Sequence, residues 1–160
     1  MKHLRIHIAF FCLLGLSLVT KAQDKSLSTK AMVEMKNYIF IAQSATPSGG
    51  QFIPLTSQYD LTVRGDTVIS YLPYFGRAYS APINNEGGIK FTSAKTNYKA
   101  ERKNDKWQII IKPNAVDVQQ FYLTIYDNER ASLQVISTNR QTISFDGYVK
   151  EGMPLDKKAF

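Results

Sequence analysis

From Tyr38 to Val149 the apolar residues of this chain recur at alternate positions, in short runs cut by turn-forming residues. No other feature constrains the fold as much. Successive side chains of a strand point to opposite faces, so a period of two marks strands with one buried face. Tyr38-Ile39-Phe40-Ile41-Ala42 reads as the first. Tyr59, Leu61 and Val63 then alternate with Asp60, Thr62 and Arg64, and Gly65-Asp66 turns the chain into a hairpin whose second arm is Thr67 to Leu72. Asn84-Asn85-Glu86-Gly87-Gly88 is the clearest turn. Ile89 to Ser93 and Thr96 to Arg102 follow as strands. Asn104-Asp105 leads into Trp107 to Lys112. Phe121, Leu123 and Ile125 alternate up to a turn at Asp127-Asn128-Glu129. Leu133 and Val135 alternate up to a turn at Thr138-Asn139-Arg140, and the last strand runs through Ile143 and Phe145 to Val149.

No helical pattern lies between these strands, so parallel crossovers are not expected and the sheet should be antiparallel. The one helical spacing comes earlier. Leu27, Ala31, Met32, Met35 and Tyr38 form an apolar stripe over residues 24–38, with Ser26 or Ser28 as caps. The expectation is a mainly β domain: an antiparallel meander of about eight or nine strands in a small, lipocalin-like barrel or curved sheet, with one N-terminal helix. A two-sheet sandwich is the alternative. The core is expected over residues 28–150, with a loose tail from Glu151.

Ahead of the helix, Lys2 and Arg5 precede an apolar run from Ile6 to Val19, and Thr20-Lys21-Ala22 places small residues at −3 and −1 of a cut before Gln23. That is the order of a secretory signal, and the run is shorter than the roughly 20 residues a spanning helix needs. Residues 1–22 are expected to be removed and the rest, a single domain, exported to the periplasm or the exterior. Phe10-Phe11 before Cys12 does not suit a lipobox, so a lipoprotein is not expected. Cleavage removes His3, His7 and Cys12, the chain's only imidazoles and thiol, and with Lys2, Arg5 and Lys21 gone the formal charge falls from +7 to +4. A chain without His or Cys lacks the base of Ser–His and Cys–His catalysis and the usual zinc and haem ligands. No cofactor, metal or nucleic-acid partner is expected, nor a transmembrane segment in the processed chain. Catalysis would have to use a Ser/Lys or Tyr site, or carboxylates such as Asp60, Asp66, Asp117, Asp127, Glu129 or Asp146, of which Asp66, Asp127 and Glu129 fall in expected turns, where acids are common for backbone reasons.

The most unusual stretch is Tyr71-Leu72-Pro73-Tyr74-Phe75-Gly76-Arg77-Ala78-Tyr79-Ser80-Ala81-Pro82. Pro73 ends a strand or marks an edge, and Gly76 admits a bend or a close backbone approach. The rings of Tyr71, Tyr74, Phe75 and Tyr79 with Arg77 suit a binding lip at a barrel mouth or interior, taking a small hydrophobic or anionic ligand, or a peptide. The alternative is a structural corner in which the rings plug one end of the barrel and Arg77 pairs with a local carboxylate. An envelope protein is the other partner to consider. Tyr71 to Tyr79, the glycine turn with Ile89-Lys90-Phe91-Thr92-Ser93, and Asn139 to Gly147 together resemble a domain-of-unknown-function family of small exported proteins of Gram-negative bacteria. The resemblance covers about residues 28–150. It implies export and a compact, mainly β fold, and it supplies no catalytic residues.

Overall fold

The structure is a computed structural model and describes residues 28–79, 87–115 and 117–153. The signal sequence, the Asn84-Asn85-Glu86 part of the glycine turn and the tail beyond Met153 lie outside them. A short helix, α1 (28–34), leads into nine strands. These are β1 (Asn37–Pro47), β2 (Ile53–Arg64), β3 (Thr67–Leu72), β4 (Ile89–Ser93), β5 (Asn97–Lys103), β6 (Lys106–Lys112), β7 (Val118–Tyr126), β8 (Arg130–Ser137) and β9 (Ile143–Glu151). They form one sheet in the order β4-β3-β2-β1-β9-β8-β7-β6-β5, antiparallel at every pairing. The sheet curls into a half-barrel rather than stacking as a sandwich.

The meander is continuous except between β4 and β5, which are the two ends of the sheet yet consecutive in the chain. Counting antiparallel steps outward from β1 shows that both run opposite to β1, and so in the same direction as each other. Only three residues, 94–96, separate them. The pair therefore behaves as one bent strand that gives its first half to β3 and its second half to β6. Lys95, at φ 59°, makes the bend. The bend also shifts the inward parity, from Ile89, Phe91 and Ser93 on β4 to Tyr98 and Ala100 on β5.

The alternation read in the sequence supplies the interior. Tyr38 and Phe40 of β1, Leu61 and Val63 of β2, Val68 and Leu72 of β3, Ile109 and Ile111 of β6, Phe121, Leu123 and Ile125 of β7, Leu133 and Val135 of β8, and Ile143 and Phe145 of β9 are all essentially inaccessible. Burying each such side chain contributes roughly 1.5–3 kcal/mol. The curl brings Phe91 of β4 against Phe121 of β7, ring centroids 6.0 Å apart, so side chains from distant strands meet in the interior. Trp107 belongs to the same cluster.

Two details depart from the sequence reading. The helix stops at 34, because Lys36 adopts φ 50° and Asn37 already pairs with Arg64. Tyr38 is thus a strand residue facing the core and not part of a helical stripe. Glu151 to Met153 is not loose: β9 runs to Glu151, Gly152 N donates to Asn37 O, and Asn37 Nδ2 donates to Met153 O. Midway along β1 the register shifts between Ala42 and Ser44 against both neighbours. Gly147 faces Ala42 there, and a Cβ at Gly147 would collide with the Ile41 carbonyl. The bulge and the glycine require each other.

Candidate functional site

The aromatic stretch closes the end of the half-barrel opposite α1. β3 ends at Leu72, as Pro73 requires, and the chain then crosses to the β8–β9 connection. Ala78 forms a bridge with Arg140 there. Tyr79 N donates to Asn139 O at 2.8 Å and Gln141 N to Arg77 O at 3.1 Å. Tyr74 turns back, its hydroxyl 2.8 Å from Arg77 O and 3.0 Å from Gln141 O. Its ring lies over Gly76, where a Cβ would strike the phenol, which is why the close approach needs glycine. Burial raises the Tyr74 pKa, with the Gln141 contact acting the other way, so the phenol stays protonated and able to donate.

Arg140 organises this end. Its side chain is 7% exposed. Nη1 donates to Gly88 O at 2.6 Å, Nη2 stands 3.6 Å from Asp117 Oδ2, and the guanidinium lies 5.2 Å from the Tyr74 ring centroid. One buried cation thereby joins the β3–β4, β6–β7 and β8–β9 connections. A planar guanidinium with several donors suits this task, where a lysine would offer one point charge. Nothing local in the sequence marks it: Arg140 sits in an ordinary turn, and Asp117 is one of several scattered acids. The cation that pairs with a carboxylate at this end is Arg140.

The five candidate binding residues are divided by this geometry. Tyr74 is half-buried and engaged. Tyr71 lies on the outer face of β3, stacked with Tyr59 at 5.8 Å, with Lys90 Nζ 4.8 Å from its ring centroid. Phe75, Arg77 and Tyr79 remain on the strap and are exposed, the two rings by 45% and 72%. Arg77 has no ion pair among the described residues.

Three of the other candidate acids are each engaged with a separate partner. Asp60 accepts from Thr62, Asp66 pairs with Lys36 at 2.9 Å and Asp127 with Arg102 at 2.7 Å. Among the described residues no three His, Cys, Asp or Glu gather as a metal set. No helix among them is long and apolar enough to cross a membrane.

Residues 20–149 match the model of a family described as Domain of unknown function (DUF4251). No curated protein matches the chain. Among solved structures, a DUF4251 family protein from Bacteroides eggerthii superposes with a TM-score of 0.63 at 16% identity, over 79% of this chain and 87% of that one. At that identity the likeness speaks for the half-barrel fold alone. The matched span takes in all nine strands apart from the last residues of β9, and on that ground the chain belongs to the DUF4251 family.

Proposed function

We propose that this protein is an exported, non-enzymatic recognition module whose binding surface is the rim formed by Phe75, Arg77 and Tyr79, with Tyr71 beside it on the sheet. Its ligand is a small molecule or peptide that carries a carboxylate next to an apolar group. One observation carries the reading: Arg77 lies between Phe75 and Tyr79 in the chain, and all three are exposed on a strap whose backbone is fixed by Tyr74, Ala78 and Arg140. A fixed backbone leaves less to order when a ligand binds. Rings give rigid contact area, and a guanidinium suits a carboxylate. The Phe91–Phe121 contact across the interior favours the mouth over a cavity within the barrel. Export rests on the order of the N-terminal segments, and the absence of His and Cys beyond Cys12 is why the reading is non-enzymatic.

Titration of the isotope-labelled protein with N-acetyl-phenylalanine and with its uncharged amide tests the site. The expected result is shift changes at residues 75–79, stronger for the carboxylate than for the amide and lost in Arg77→Ala. Equal response to both probes, or an unchanged response in Arg77→Ala, defeats it. The mass of the protein isolated from its own host tests export: a chain starting at Gln23 supports it, and one starting at Met1 does not.

A further inference from the structure

The half-barrel has an open seam, and its two sides are chemically unlike. β4 and β5 cannot close it by pairing with each other, because parallel neighbours need a crossover of about a dozen residues or more and only 94–96 lie between them. On the β4 side the strand is five residues long, and its last side chain is occupied, Ser93 Oγ accepting from Asn114 N at 2.8 Å. On the β5 side, Asn97–Lys103 pairs with β6 along one edge and with no described strand along the other. A free edge of seven residues is a template for another strand.

The charges on β5 decide which strand fits. Lys99, Glu101 and Lys103 all point outward, with Lys99 Nζ 2.8 Å from Glu101 Oε1. Consider two copies of β5 paired antiparallel about a two-fold axis at Ala100. Lys99 then faces the partner's Glu101, Glu101 faces the partner's Lys99, and Lys103 faces the partner's neutral Asn97. The four central charges alternate in sign on one continuous outer face. Centring the axis on Glu101 instead sets Glu101 against itself and Lys99 against Lys103. Opposite charges directly across a ladder stabilise it and like charges destabilise it, so the pattern selects the first register. We propose that β5 is a homodimerisation edge, pairing antiparallel with β5 of a second copy about Ala100 and extending the sheet across the two half-barrels. The interface is isologous and closed, so it stops at two copies. It uses none of the rim residues, and its test is independent of theirs.

Sedimentation velocity of the purified protein, from micromolar to millimolar concentration, reads the association. The wild type is expected to pass reversibly from monomer to dimer. Glu101→Lys and Lys99→Glu each place like charges face to face and should each weaken the dimer by at least about 10-fold. An equimolar mixture of the two variants restores both opposite pairs, and should dimerise more tightly than either variant alone. Circular dichroism confirms that each variant is folded; the positions are exposed, so both are expected to be. A wild type that stays monomeric to millimolar concentration, a Glu101→Lys protein that dimerises as the wild type does, or a mixture that stays monomeric overturns the proposal.

Discussion

The two ends of the half-barrel are closed by opposite means. At one end α1 lowers Met32 and Val33 into the core, with exposures of 5% and 1%. At the other an extended strap crosses the opening and is tied down by hydrogen bonds that converge on Arg140 and Tyr74. A helix bonds much of its own backbone and can close an opening with apolar side chains. An extended segment bonds none of its own, and each buried N–H and C=O must find a partner elsewhere. That is why the strap end holds a buried arginine and a phenol aimed at carbonyls, while the helix end holds two aliphatic side chains. Polar closure also leaves the strap's remaining side chains free to face solvent, which an apolar plug cannot do.

The strongest way to break this contrast is to remove the buried cation. Arg140→Ala takes away the Gly88 bond, the Asp117 pair and the contact with Tyr74 together. A charged hydrogen bond contributes about 1.5–3 kcal/mol, and Asp117, about a third exposed, can rehydrate. The expected loss is about 3 kcal/mol in urea unfolding. Hydrogen exchange should accelerate first at the amides of Tyr79 and Gln141, with the amide of Met35 unaffected. Equal acceleration at both ends would mean that the strap is not a separate closure.

The matching change at the helix end is Met32→Ala. Met→Ala substitutions in cores cost about 2–5 kcal/mol, and a site at the barrel mouth can partly collapse, so about 2 kcal/mol is expected. Here the local signature should reverse, with exchange accelerating at Met35 and not at Tyr79.

At the helix end a pair of phenols meets beneath α1. Tyr38 and Tyr98 approach with hydroxyls 3.2 Å apart, and Tyr98 OH also lies 3.4 Å from Val33 O. Tyr98→Phe strands the buried Tyr38 hydroxyl and should cost about 1–3 kcal/mol, whereas Tyr38→Phe leaves Tyr98 its carbonyl and should cost about 1 kcal/mol. The double variant should cost less than the sum, since no hydroxyl is then left unpaired. Burial pushes the Tyr98 pKa up to about 12, and Tyr38, buried and beside Tyr98, is raised well above its ordinary value. Unfolded tyrosines ionise near about 10. The folded state therefore holds these protons more tightly. Their contribution is fully present below about pH 10 and is lost as pH rises through 10 towards 12 and beyond. Urea midpoints measured from pH 8 upward should show this fall in the wild type and a shallower one in the double variant.

How much of this the sequence disclosed follows from the same contrast. Strands whose alternation serves one continuous core announce themselves: Phe121-x-Leu123-x-Ile125 and Thr67 to Leu72 read directly, as did the turns at Gly65-Asp66 and Asn104-Asp105. The helical spacing runs on past the true end of α1 because Tyr38 satisfies a spacing of three from Met35 as well as an alternation with Phe40, and nothing local shows that Lys36 breaks the path at φ 50°. The strap stands out in the sequence as an odd composition, but nothing there points to Arg140 as the cation that ties it down. Arg77 stands among the rings in sequence, whereas Arg140 reaches Tyr74 only through the curl of the sheet. Long-range polar closure leaves no periodic trace, so Asp117, Gly88 and Arg140 could not be joined beforehand.

The smallest effects should separate the strap's fixed residues from the displayed ones. Tyr74→Phe removes a hydroxyl lying on two carbonyls and should cost about 1 kcal/mol, since part of that backbone can turn to water. Arg77→Ala, Phe75→Ala and Tyr79→Ala remove exposed groups and should each stay within about 0.5 kcal/mol of the wild type. If Arg77→Ala were as destabilising as Tyr74→Phe, Arg77 would be part of the closure and would have no charge to offer a ligand. If it leaves stability unchanged, an arginine and two rings are held in water by a segment that does not need them to fold.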